Sequence, residues 1–172
     1  MKSKKNIVLI GMMGSGKSLI GKILSKKLHI DFIDIDEKIE ENEKKTISEI
    51  FEILGESYFR KIEENLSIKY LNLQNKIISL GGGGYINPLI RKKSSKNCIT
   101  IWLNWKNETI IKRIHNSKKR PLATSLNSNE INKLIIKRSK IYNLSDYKIN
   151  CDKLDKFQIV KKIIKIYESK QY

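Results

Sequence analysis

The sequence is poor in several residue types, and each shortage narrows what the chain can be. Prolines occur only at positions 88 and 121, so there is no proline-rich linker. No apolar run approaches the ~20 residues that a membrane-crossing helix needs. The two cysteines, Cys98 and Cys151, form no CxxC and are too few for a disulfide framework; both are expected to be reduced packing residues. His29 and His115 have no metal-ligand partner at useful spacing. Arginine is the scarcest basic residue, with five among thirty-five. No internal repeat or low-complexity tract is present.

What remains is a chain of 172 residues, 40% apolar and 8% aromatic. That suits one domain with a real core and argues against disorder. The start, "MKSKKNIVLIG", is basic and then apolar, but the apolar part is too short for a signal peptide and glycines follow it. A cytoplasmic protein with no membrane partner is expected. The formal charge of +17 would suit nucleic acid. The lysines are, however, spread along the chain rather than gathered in one arm. That pattern fits solvated lysine faces and a compositional bias, so no nucleic-acid partner is expected.

Apolar strands alternate with helical patterns. Residues 6–10 and 76–80 read as buried strands, as does "CITIWL" at 98–103, and "YKIN" at 147–150 reads as a short last strand. "DFIDID", 31–36, reads as a strand running into a polar end. Helices are expected over 17–28, 106–115 and 129–142. "TISE", 46–49, fits a capping box opening a helix that Gly55 stops, and a second amphipathic helix covers 58–73. "DKFQ", 155–158, caps a final helix to about 169. The alternation implies an α/β fold, a parallel sheet covered on both faces in a three-layer α/β/α sandwich.

"GMMGSGKS", 11–18, fits G-x-x-x-x-G-K-[ST] without a mismatch, with a strand before it and a helix after. Gly11, Gly14 and Gly16 let backbone N–H groups turn inward around phosphate oxygens, with Ser15 and Leu19 beside them. The helix N-terminus adds its dipole. Lys17 reaches the terminal phosphates, and the Ser18 hydroxyl can ligate Mg²⁺. The loop implies a nucleoside triphosphate, ATP by expectation, but it is silent on the acceptor.

Other features speak to that. Asp34 and Asp36, two apart at a strand end, share a face if the strand continues. One carboxylate near a metal and one near an acceptor hydroxyl would make chemical sense; a solvated strand end is the plainer reading. Arg60 falls on a helix. Gly81 to Gly84 follow a buried strand, a run that suits close approach of backbone to a ligand. Arg120 lies in the polar stretch 116–128 and Arg138 on a late helix. A guanidinium fork matches a planar carboxylate in a way that lysine cannot reproduce.

These stretches together resemble the shikimate kinase family. "GMMGSGKS", "FIDIDEKIE", "ISEIFEILGESYFRKIE", "SLGGGGYI", "KRPLA" and "RSKIY" match its motifs in order, across about residues 6–168. The resemblance implies a five-stranded parallel sheet of the P-loop NTPase type. It implies a single kinase domain over 1–172, with an acceptor-binding segment at about 34–61 and a mobile lid at about 116–128. It implies transfer of the ATP γ-phosphoryl group to the 3-hydroxyl of shikimate, with Mg²⁺, by a monomer. Asp34 then resembles the residue on the metal side. Asp36 resembles the one that holds the acceptor hydroxyls and takes the nucleophile's proton. Arg60 and Arg138 resemble the clamp on the acceptor carboxylate, Gly81, Gly82 and Gly83 the glycines beside it, Arg120 the lid arginine, and Arg113 an arginine packed on adenine. The chain departs from the family pattern at Ala123 in the lid, at Gly84–Tyr85, and at Asp146, where an alanine is common. Arg91 has no counterpart in these motifs.

Two rivals follow from the same residues. One is another small-metabolite kinase of this fold, such as a gluconate kinase. The other is a P-loop module that binds nucleic acid through its charge. Either enzymatic reading puts Lys17 on the phosphates, so Lys17→Met is expected to lower kcat by about 10³-fold or more, the scale of a cation that meets the transferring group. Steady-state ADP release measures this, and near-parental kcat would remove Lys17 from the chemistry.

Overall fold

Strand β1, Asn6–Ile10, is buried at all five positions and occupies the middle of the sheet. Its alternate side chains feed two separate cores. Ile7 and Leu9 face one, Val8 and Ile10 the other. A strand covered on both sides needs this continuous apolar run, and a parallel sheet supplies that environment. The computed structural model describes residues 5–116 and 126–170. Among them, β2 (Phe32–Asp34), β3 (Ile77–Ser79), β4 (Cys98–Asn104) and β5 (Tyr147–Asn150) complete a five-stranded parallel sheet in the order β2-β3-β1-β4-β5. The expected three-layer architecture is borne out.

One face is covered by α1 (Lys17–Leu28) and the last helix, Lys156–Glu168, through Ile20, Leu24, Ile159, Val160 and Ile163. The other face carries α2 (Ile35–Glu43), α3 (Ile47–Leu71), α4 (Pro88–Asn97), α5 (Asn107–His115) and α6 (Ser128–Tyr142). The last helix is therefore α7. Its Asp155 cap and reciprocal Gln158 bond form the expected capping box, as do Thr46 and Glu49 ahead of α3. Chain order and strand order diverge at β1, whose neighbours are β3 and β4. Ligands of such sheets bind beyond the strand C-termini at this point, and the glycine-rich loop 11–16 lies there.

Three expectations need correction. The strand "DFIDID" does not continue to Asp36. It ends at Asp34, whose carboxylate caps α2 by accepting from the Asp36 N–H at 3.1 Å. Aspartate serves as a helix cap more readily than as a strand residue. The helices 46–55 and 58–73 form one run, broken within by Gly55 at φ +81°, ψ 167°. Gly55 thus interrupts rather than stops it. Helices α2 and α4 were not anticipated, although Asn87 caps Leu89 and Ile90 with Pro88 in the first helical turn, a start signal present in the sequence.

The Gly55 break lets the chain carry Arg60 away from the line of the first half of α3. Its backbone occupies a region that is essentially glycine-only, while nothing lies within 4 Å of an added Cβ. Gly55→Ala is therefore expected to cost about 1–3 kcal/mol through backbone conformation alone. Equilibrium urea unfolding reads this cost. An unchanged midpoint would mean that the two half-helices straighten freely.

Candidate active site

The loop after β1 is shaped by its glycines. Gly11, at φ +146°, has no room for a Cβ, which would sit 3.0 Å from the Leu103 carbonyl and from Ser15 Oγ. Gly16, at φ +86°, is the left-handed residue directly before α1. Lys17 is 8% exposed, and its amine donates to the Gly11 and Met12 carbonyls at 2.8 and 3.1 Å. Ser18 Oγ donates to Asp34 Oδ2 at 2.5 Å. Asp34 thus joins the phosphate loop to the start of α2 with its two oxygens. The buried Ser15 hydroxyl finds no hydrogen-bond partner among the described residues.

Two residues outside the motif hold this loop from the side. Trp105 Nε1 donates to the Ser15 carbonyl at 2.9 Å, and Arg113 Nη1 to the Gly14 carbonyl at 3.1 Å. The Arg113 guanidinium carbon lies over the Trp105 ring, 3.8 Å from its centroid. The tryptophan had no signal in the sequence, because its partner is a main-chain carbonyl ninety residues away.

The second half of the site is built on α3, α6 and the glycine run. A cleft of about 960 Å³ has Gly14, Gly16, Lys17, Ser18, Leu19 and Asp34 on one side and Asp36, Arg60, Gly82, Gly83 and Arg138 on the other. Leu19, expected beside the phosphate loop, is 53% exposed and lines this cleft. Gly11, Ser15, Gly81 and Arg113 stand behind the walls rather than in them. Arg120, with Ala123 and most of the expected lid, lies outside the described residues.

The glycine run has a steric reason. A Cβ on Gly81 would lie 2.5 Å from Glu63 Oε1 and 2.7 Å from Asp36 Oδ1. One on Gly83 would lie 2.5 Å from Arg60 Nη1. A Cβ on Gly82 would lie 3.1 Å from the Met13 N–H nitrogen of the phosphate loop. Glu63, which borders Gly81 and Gly84, was not singled out by the sequence from the glutamates around it. It is 2% exposed and accepts from Arg60 Nη1 at 2.7 Å, while Glu56 holds Arg60 Nε and Nη2 at 3.2 and 3.1 Å. Burial pushes the Glu63 carboxyl above its ordinary value, and the charges of Arg60 and Arg138 only partly offset this. For Arg60, burial works to lower the pKa, but the Glu63 charge and hydrogen bonds more than reverse it, so the guanidinium is held above its ordinary value.

Arg91 also finds its place. Its guanidinium donates to the Tyr85 and Ile86 carbonyls at 3.1 and 3.0 Å, fixing the 3₁₀ turn Gly84–Ile86 that ends the glycine run. Among the described residues no group of three or more His, Cys, Asp or Glu could hold a metal ion. No helix among them is long and apolar enough to cross a membrane.

A phosphate loop at the switch point of a parallel sheet, opening into a pocket with a guanidinium pair and an acidic group, defines a P-loop kinase. Comparison with known proteins narrows the class. A family profile described as shikimate kinase matches residues 13–168. The shikimate kinase of Persephonella marina is 41% identical over 160 residues, covering 93% of this chain and 97% of that protein. That of Bartonella quintana is 35% identical over 170 residues, covering 98% of this chain and 81% of that protein. The solved shikimate kinase of Acinetobacter baumannii in complex with shikimate superimposes with a TM-score of 0.89 at 28% identity, covering 96% of this chain and 93% of that one. The enzyme from Aquifex aeolicus gives 0.82 at 35% identity, covering 95% and 96%. The chain belongs to the shikimate kinase family, as its motifs led us to expect, and the gluconate kinase reading falls away.

The raised pKa of Glu63 has a consequence for stability. The folded protein binds this proton more tightly than the unfolded chain, so stability is lost as pH rises from the ordinary value of 4.5 through the raised one. Glu63→Gln, uncharged at every pH, is expected to remove that fall and, by slackening Arg60, to raise the acceptor KM. Urea unfolding of both proteins at intervals from about pH 4 to about pH 8 makes the comparison across the carboxylate range. Parallel stability curves would show that Glu63 titrates normally.

Proposed function

We propose that this chain transfers the γ-phosphoryl group of ATP to the 3-hydroxyl of shikimate, as a cytoplasmic monomer that needs no nucleic-acid partner. The carrying observation is that one cleft of one chain joins the phosphate-loop residues Lys17 and Ser18 to Asp36, Arg60 and Arg138. All of these residues come from a single chain, which supports the monomer reading. Two buried, unbridged thiols, Cys98 and Cys151, suit a reducing compartment.

In this reading the backbone of residues 11–16 and the amine of Lys17 hold the triphosphate. Ser18 and Asp34 offer hard oxygen donors already in contact, a set that fits Mg²⁺ bound partly through nucleotide phosphates. The ion, when bound, neutralises charge on the β- and γ-oxygens. Arg113, placed over the Trp105 ring, packs against the adenine. Arg60 and Arg138 clamp the acceptor carboxylate, with Gly81 to Gly83 leaving room for the ring. Asp36 orients the acceptor hydroxyl and takes its proton as the phosphoryl group arrives. On the family resemblance Arg120 adds a further cation to the phosphates. The protein's contribution is positioning and charge stabilisation, which phosphoryl transfer chiefly asks for.

The experiment is a coupled ADP-release assay with ATP and Mg²⁺ over shikimate, quinate, gluconate and nucleoside monophosphates. Saturable turnover with shikimate alone is expected. Preference for an acceptor without a carboxylate would remove the Arg60–Arg138 clamp.

A further inference from the structure

Three parts of the site, distant in sequence, converge on one phenol oxygen. Tyr142 lies one helical turn after Arg138, on the same face of α6. It is 1% exposed. Its hydroxyl donates to the Gly82 carbonyl and lies 3.6 Å from Met12 Sδ in the phosphate loop. Arg138 Nη1 lies 3.9 Å from the same sulfur. The ring is fixed against Trp102 of β4, with centroids 5.8 Å apart.

The contact is returned. Tyr85, fully buried and three residues beyond Gly82, donates from its own hydroxyl to the Leu144 carbonyl at 3.4 Å. The end of α6 with the turn after it, and the glycine run with the 3₁₀ turn after it, therefore exchange hydrogen bonds in both directions. Asp146, two residues further on, accepts from the Thr100 N–H and hydroxyl at 2.8 and 2.7 Å, tying this turn to β4. Two of the chain's departures from the family pattern, Tyr85 and Asp146, are thus parts of one brace.

The brace acts where the backbone most needs it. Glycine peptides rotate with little steric restraint, so four in a row cannot hold an acceptor by themselves. A hydrogen bond to the Gly82 carbonyl removes that freedom. We propose that Tyr142 is a positioning residue for the acceptor carboxylate: its hydroxyl holds the Gly82 peptide and the Arg138 guanidinium in one register. The inference rests on the clamp reading given above. Burial pushes the phenol up to about 12 against the opposing pull of Arg138, so the hydroxyl remains a donor at neutral pH.

The test is a double-mutant cycle of Tyr142→Phe, which keeps the ring, and Arg138→Ala. Loss of one buried donor is expected to raise the shikimate KM about tenfold in Tyr142→Phe, with the ATP KM within about twofold and kcat falling less than KM rises. In the Arg138→Ala background the same substitution should change the shikimate KM far less. An unchanged shikimate KM in Tyr142→Phe beside a large effect of Arg138→Ala overturns the role of Tyr142 and leaves the clamp standing. Equal rises for shikimate and ATP reduce Tyr142 to a packing residue and overturn it too. An unchanged shikimate KM in Arg138→Ala overturns the clamp, and this inference with it. Should Tyr142→Phe fail to fold, Tyr85→Phe removes the returning bond. It is expected to raise the shikimate KM by about two- to threefold, the scale of one weak hydrogen bond; no change there overturns the brace.

Discussion

The half of the cleft built on α3, α6 and the glycine run depends on one steric constraint: the Glu63 carboxylate must lie against a stretch of backbone that has no side chains. Buried charge is tolerated only when it is paired and closely packed. Glu63 meets both conditions, with Arg60 on one side and Gly81 and Gly84 on the other. Any Cβ at Gly81 would enter the space of the carboxylate and of Asp36 at once. The glycines therefore serve close approach here rather than an unusual turn. Position follows from this for Arg60, which is held by Glu56 and Glu63 from two sides and can present its remaining edge to the cleft.

How much of this could be read beforehand depended on how local each signal is. The phosphate loop is a sequence-local structure, with strand, glycines and helix in eleven consecutive residues, and it was legible throughout. The capping boxes at Thr46 and Asp155 were legible for the same reason. Asp34 and Asp36 both line the cleft, but by a geometry other than the one expected. Strand alternation was the argument, yet a helix begins at Ile35, and Asp36 reaches the cleft from its first turn. Glu63, Trp105 and Tyr142 work through partners that are non-local or buried. Nothing in the neighbouring residues distinguishes Glu63 from Glu64, which instead accepts from Asn87 on the outer side of the helix at 2.5 Å.

The scarcity of arginine becomes intelligible in the same terms. In a chain that uses lysine almost everywhere, two of the four described arginines, Arg60 and Arg138, line the cleft, and Arg91 and Arg113 hold backbone beside it. Arg60 meets two carboxylates, Arg91 two carbonyls, Arg113 a carbonyl and an indole ring, and Arg138 a thioether. Arg60 spreads all three of its nitrogens over its two partners, which an ammonium does not reproduce. Arg91, which matched no motif, turns out to secure the end of the glycine run.

The amine of Lys17 is not idle in this arrangement: it is already hydrogen-bonded to the Gly11 and Met12 carbonyls of its own loop. These two bonds hold the end of a long, otherwise flexible side chain against its own loop, so the ammonium has a fixed place in the cleft wall. A protein carrying a formal charge of +17 attracts anions of every kind to its surface. Behind that diffuse field Lys17 offers a single positive charge at a position set by its own loop, so attraction is general at the surface and localised in the cleft.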